Sequence, residues 1–133
     1  MILAIDVGNT NIEIGCIRGG EIVFVERIHT DGTKSELEYA ISMKTVLELY
    51  GVDRKELEGG IISSVVPPLT NVLRRAASKV TGREILVVGP GVKTGLDIRI
   101  DNPAQLGTGL VVGAVAGVEE YSCPLVIIDM GTA

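Results

Sequence analysis

The sequence predicts an α/β protein in which a mixed sheet is flanked by helices. Three observations carry this. Apolar runs at residues 2–7, 12–18 and 21–29 follow one another across short turns, as meandering strands do. Two helical patterns with start and stop signals of their own then alternate with short apolar strands. Finally, the opening phrase Ile5-Asp6-Val7-Gly8-Asn9-Thr10 returns at residues 128–133 as Ile-Asp-Met-Gly-Thr-Ala, which reads as the start of a second, similar lobe.

The elements follow in order. Gly8 to Asn11 makes the first turn, and Gly19-Gly20 closes a tight hairpin between the second and third strands. Ser35 and Glu38 have capping-box spacing and open a helix. Leu37, Ala40, Ile41, Leu47 and Tyr50 are expected on its buried face, and Gly51 stops it. Gly59 to Val66 reads as a short buried strand. Pro67-Pro68 starts the next helix, where Pro is tolerated. Leu69, Val72, Leu73, Ala76 and Val80 give that helix its core stripe, and Gly82 ends it. Glu84 to Val88 is a further strand, followed by Gly89-Pro90-Gly91. A third helix is expected after Asn102, its cap, with Pro103 in the first turn. Leu125 to Asp129 reads as the last strand. The chain reaches Ala133 inside the turn of the repeated phrase. It therefore reads as the N-terminal half of a two-lobe protein. Residues 1–118 form the first lobe and 119–133 start the second, leaving a missing C-terminal half as partner.

Composition narrows the classes. With 46% hydrophobic and 22% charged residues, the chain has enough apolar mass for a core and should be globular. A net charge of −5 argues against non-specific nucleic-acid binding, which needs a dense basic surface. The uncharged stretch from Asn102 to Val118 is short and interrupted by Pro103, Gln105 and glycines, so no membrane span is expected. No basic-then-apolar signal segment precedes the first strand, which suits a cytoplasmic protein. Cys16 and Cys123 have no metal or redox spacing and are expected to be buried thiols.

The repeated phrase also has a chemical reading. An apolar run buries a strand, an Asp emerges at its tip, and the following Gly lets backbone approach a ligand. N–H groups and hydroxyls can then meet phosphate oxygens while the carboxylate holds Mg²⁺ directly or through water. Asp6, Gly8, Asn9 and Thr10 would do this in the first copy, and Asp129, Gly131 and Thr132 in the second. Each phrase could equally be an ordinary Asp-x-Gly turn; the second copy favours phosphate, gripped from two sides.

These residues resemble the type III pantothenate kinases, of the acetate and sugar kinase, heat-shock chaperone and actin superfamily. The resemblance rests on five blocks: residues 6–11, Ser63-Ser64-Val65-Val66-Pro67, Gly89 to Gly95, Asp101-Asn102-Pro103 and residues 129–133. It implies a ribonuclease H-like (actin-like ATPase) lobe, ATP held between two such lobes, and phosphorylation of pantothenate in coenzyme A synthesis. It also implies a homodimer, Mg²⁺ and a monovalent cation such as K⁺. Asp6 and Asp129 would be the metal residues.

One block departs from the family. Where the family has Gly-Ala-Asp-Arg, this chain has Gly107, Thr108, Gly109 and Leu110. The resemblance makes that Asp the general base for the acceptor hydroxyl and that Arg the grip on the acceptor's carboxylate. Neither Gly109 nor Leu110 can do either. Loss of a positioned base costs roughly 10²–10⁴ in rate, and loss of a charged hydrogen bond about 1.5–3 kcal/mol. The expectation is an impaired kinase. The alternatives are a nucleotide-binding paralogue with another acceptor, a non-catalytic regulator or partner, or one chain of a split or self-processed protein. Gly107 and Lys93 are the remaining substrate-side candidates, Lys93 being in its plainer reading a solvated loop lysine. His29 and the Ser63-Ser64 pair read as structural.

Overall fold

The computed structural model describes residues 1–89, 92–102 and 106–130. Five strands, β1 (Ile2–Val7), β2 (Asn11–Arg18), β3 (Glu21–His29), β4 (Gly59–Ser64) and β5 (Ile85–Val87), form one sheet in the order β3-β2-β1-β4-β5. β1 runs antiparallel to β2 and parallel to β4; β2 is antiparallel to β3, and β4 parallel to β5. The mixed sheet is thus the expected one, with the first strand at its centre. Helices α1 (Glu36–Leu49), α2 (Pro67–Thr81) and α3 (Thr108–Glu120) complete the described architecture, with one 3₁₀ turn at Arg54–Glu56.

The turn chemistry works as the residues suggest. Gly19 and Gly20 both take positive φ, 58° and 83°, which a two-residue hairpin with the right strand twist requires. The Ser35 hydroxyl accepts from the Glu38 N–H while the Glu38 carboxylate accepts from the Ser35 N–H, the two halves of a capping box. Gly82 closes α2 in the left-handed region at φ 69°.

The core lies between one sheet face and the α1–α2 layer. Leu3, Val7, Ile12, Ile14 and Ile62 point from the sheet into Tyr39, Met43 and Leu73 from the helices, all fully buried. Glu36 of α1 ties the two helices together through Lys79 at 2.8 Å and Arg75 at 3.5 Å. Gly60 lets β4 sit close to β1: a Cβ there would lie 2.8 Å from Ile85 Cδ1 and 3.1 Å from the Leu3 carbonyl oxygen.

Several expectations need correction. The buried stripe of α1 is Tyr39, Ala40, Met43, Val46 and Leu47, whereas Leu37, Ile41 and Tyr50 are exposed. The helix is turned toward α2, so its apolar residues were too many to identify the inward face. β4 ends at Ser64, because the Val65 N–H closes onto the Val7 carbonyl and Val66 caps α2. β5 is shorter than 84–88. α3 starts at Thr108 with Gly107 as cap, so Asn102 is not its cap; Pro103 lies outside the described residues, as do Pro90 and Gly91. Leu125 to Asp129 is not a strand: no described segment pairs with it, and a strand needs a ladder partner. Cys16 is buried as expected, but Cys123 is exposed. Among the described residues no helix is long and apolar enough to cross a membrane.

Candidate functional site

A cleft of about 550 Å³ opens where the β1–β2 turn meets the start of α3. Asp6, Gly8, Asn9 and Thr10 form one wall, and Gly109, Leu110 and Asp129 face them. Seven of the sequence-derived candidates therefore share one space, although 123 positions separate Asp6 from Asp129 in the numbering. Gly131 and Thr132 lie outside the described residues. Gly107 caps α3 and Lys93 stands exposed on a loop, and neither is among the residues that line the cleft.

The wall around Asp6 is rigid for traceable reasons. Gly8 donates to the Asn11 carbonyl at 2.9 Å, and a Cβ on Gly8 would stand 3.0 Å from that oxygen, so the turn is tight. Thr30 clamps it from outside. Its hydroxyl donates to the Gly8 carbonyl at 2.8 Å and its N–H to the Thr10 carbonyl at 2.9 Å. The next residue, Asp31, is held in turn by the buried Tyr39, whose hydroxyl donates to the Asp31 carbonyl at 2.7 Å and accepts from the Asp31 N–H at 3.0 Å. Core packing of α1 thus reaches the turn through two residues.

α3 is anchored at its first residue. Thr108 donates to the Ser64 carbonyl at 3.2 Å, and its hydroxyl lies 3.4 Å from that of Ser63. No side chain caps the helix, so the first-turn N–H groups of Gly109 and Leu110 remain available where these residues line the cleft. Ser64 has the local partners expected of a turn serine, accepting from the Val66 N–H at 3.1 Å and the Thr70 hydroxyl at 2.9 Å, whereas the Ser63 side chain bonds with Asp6.

The electrostatics are those of a crowded acidic floor. Protein packed around Asp6 strips water from its carboxylate and raises its pKa, even though the side chain remains accessible from the cleft. A hydrogen bond with Ser63 pulls the other way, and the like charges of Glu13 and Asp129 add to the rise. A bound cation would relieve that repulsion. Among the described residues no group of three or more His, Cys, Asp or Glu forms a metal cage. Mg²⁺ does not demand one, since it keeps waters and pairs one or two carboxylates with substrate phosphates. Asp6 and Asp129 fit that pattern.

The sequence reading missed Glu13 and Arg27, which line the same cleft. Glu13 was findable, because residues 6 and 13 face each other symmetrically across the Gly8–Asn11 turn. Arg27 was not. A two-residue hairpin at Gly19-Gly20 would set Glu13 opposite Glu26, but a register shift between Cys16 and Ile17 sets it opposite Arg27.

The family model described as Type III pantothenate kinase matches residues 2–133. A Type III pantothenate kinase of Exiguobacterium sp. (strain ATCC BAA-1283 / AT1b) is 47% identical over 133 residues, all of this chain and 52% of the relative. One of Geobacter sulfurreducens is likewise 47% identical with the same coverage. The chain thus spans about half the length of the curated relatives it matches. A solved candidate N-acetylglucosamine kinase of Porphyromonas gingivalis superposes with a TM-score of 0.51 at 17% identity, over 65% of this chain and 33% of that one. That likeness concerns the fold alone.

Proposed function

The chain belongs to the type III pantothenate kinase family, and from that premise we propose that it supplies the phosphate-handling half of an ATP-dependent kinase for pantothenate, with weakened acceptor chemistry. The observation that carries this reading is the convergence of the Asp6–Thr10 turn, Asp129 and the first turn of α3 on one cleft. Residues 1–118 would be the first lobe and 119–133 the beginning of the second, the rest of the whole protein closing over the nucleotide.

In this reading the turn wraps phosphate oxygens with its N–H groups and the Thr10 hydroxyl, while Asp6 and Asp129 hold Mg²⁺. The metal, when bound, neutralises phosphate charge. The first-turn N–H groups of α3 meet the transferring phosphoryl group with the positive end of the helix. The acceptor hydroxyl oxygen bonds to the γ-phosphorus, the bond to the ADP oxygen breaks, and the hydroxyl proton must leave. At that last step the site is thin. Gly109 has no carboxylate, and the only described atom meeting a Cβ built there is Asp129 Oδ2, 4.0 Å away. Asp129 is therefore the carboxylate nearest the vacant base position.

A second reading has its own support. Leu110, Val65 and Met130 line the cleft with apolar surface. That wall suits an acceptor without a carboxylate better than pantothenate, and would make the protein a nucleotide-binding paralogue. A K⁺ requirement, a homodimer and a cytoplasmic location belong to the first reading as further family features.

The deciding experiment is ATP turnover by the whole protein with and without pantothenate, in Mg²⁺ and K⁺, beside a Gly109→Asp, Leu110→Arg double variant. Phosphopantothenate from the unmodified protein supports the first reading. Activity only in the double variant supports the second. No turnover in either would sink the pantothenate reading.

A further inference from the structure

Resting on the nucleotide reading above, we propose that Arg27 is an anion-binding residue of the cleft, its guanidinium holding a phosphate oxygen of the bound nucleotide. Among the described lining residues Arg27 is the one Lys or Arg, against the three carboxylates of Asp6, Glu13 and Asp129. A polyphosphate entering that space needs positive charge beyond one metal ion.

The register explains why this arginine serves. Asp6, Glu13 and Arg27 stand opposite one another across β1, β2 and β3, so all three lie on one sheet face. Arg27 Nη2 donates to Glu13 Oε1 at 2.6 Å. That bond draws the guanidinium along the row toward Asp6. A guanidinium has five N–H donors in a flat fork, so it can hold Glu13 and a second planar or tetrahedral anion together. The Arg27 side chain is 62% exposed, and an ion pair so open to water contributes little to the fold. Position decides which anion. β3 is the sheet edge, whereas α3, with Leu110, packs against β4 on the other side of β1. Arg27 thus lies across the phosphate turn from the acceptor end.

The test is calorimetric titration of MgATP and, separately, pantothenate into the whole protein and into Arg27→Gln and Arg27→Lys. Arg27→Gln is expected to weaken MgATP at least about tenfold. Arg27→Lys should recover part of that loss, because charge without the fork is only half the grip. Pantothenate affinity should stay the same in all three, as should the thermal midpoint to within a degree or two, since so exposed a pair adds little to stability. Unchanged MgATP affinity in Arg27→Gln would overturn the proposal and leave a cross-strand ion pair only. So would a loss confined to pantothenate, which would move Arg27 to the acceptor. MgATP binding without phosphopantothenate formation in the turnover assay defeats the pantothenate reading, yet these titrations still decide Arg27. An unmodified protein that binds no MgATP defeats both.

Discussion

The two faces of the sheet are built to different standards. On the α1–α2 side, β1, β2, β4, α1 and α2 all contribute fully buried residues, from Leu3 and Ile14 to Tyr39, Met43 and Leu73. On the side of α3 the packing is sparse. Gly117 is that helix's only buried residue, Leu110, Val112 and Val118 are exposed, and Val126 and Ile128 beyond it are 87% and 79% exposed. The well-packed face carries the stability, and the sparse face borders the cleft. These exposures are those of a chain that spans about half the length of its relatives. Asp6 sits at the join, on the central strand of the firm layer but facing the open one.

Mutations can break or sharpen that contrast. The largest effect is expected from Leu73→Ala, about 2–5 kcal/mol in urea unfolding, because a fully buried leucine leaves a cavity. Val118→Ala on α3 should cost well under 1 kcal/mol. Equal losses from the two would mean that the sparse face is packed in solution. Next comes Ser35→Ala, which removes half of a formed capping box and should cost about 1 kcal/mol. It should also raise hydrogen exchange in α1 before α3, if the layers open separately.

Smaller and opposite in sign is Gly113→Ala. A Cβ there meets nothing within 4 Å, so relief of the glycine penalty should stabilise α3 by up to about 1 kcal/mol, seen as slower exchange of its amides. Gly117→Ala is the control, since its Cβ would lie 2.7 Å from Ile127 Cδ1 and must displace that side chain. The smallest effect concerns Asp6→Asn. The native state raises the Asp6 pKa chiefly by desolvation, so folding favours the protonated carboxyl. Asp6's contribution is therefore best below its unfolded value of 3.8 and is lost as pH rises through the higher folded value. Asp6→Asn should raise the thermal midpoint slightly at pH 7, with the gain vanishing toward pH 3, while MgATP binding is lost. A midpoint that falls at pH 7 would make Asp6 a structural cap instead.

Much of the firm layer was legible because each of its signals is local. Ser35 and Glu38 cap a helix wherever they sit before an apolar run, and Gly19-Gly20 supplies positive φ without help from elsewhere. The Asp6–Thr10 turn was legible for the same reason, as strand, Asp and Gly are neighbours in sequence. The inward face of α1 was not, since Leu37, Ile41, Met43 and Leu47 are all apolar and only the position of α2 selects among them. The apolar run at 125–129 was misread because a strand is defined by a partner, and periodicity carries no information about partners.

By itself the sequence determined the order of elements from β1 to β5, the caps and turns of α1 and α2, and the residue types at the Asp6–Thr10 turn, since these depend on neighbours within a few positions. It also determined that a glycine and a leucine, neither able to take a proton nor pair with a carboxylate, stand at positions 109 and 110, because that is a matter of identity. Only the tertiary structure decided that Asp6, Asp129 and the start of α3 share one cleft, and that Glu13 faces Arg27 and not Glu26. The reason is physical. Register and convergence depend on where a bulge falls and how separate elements pack, and burial of Phe24 against the core selects the shift that places Arg27 in the row.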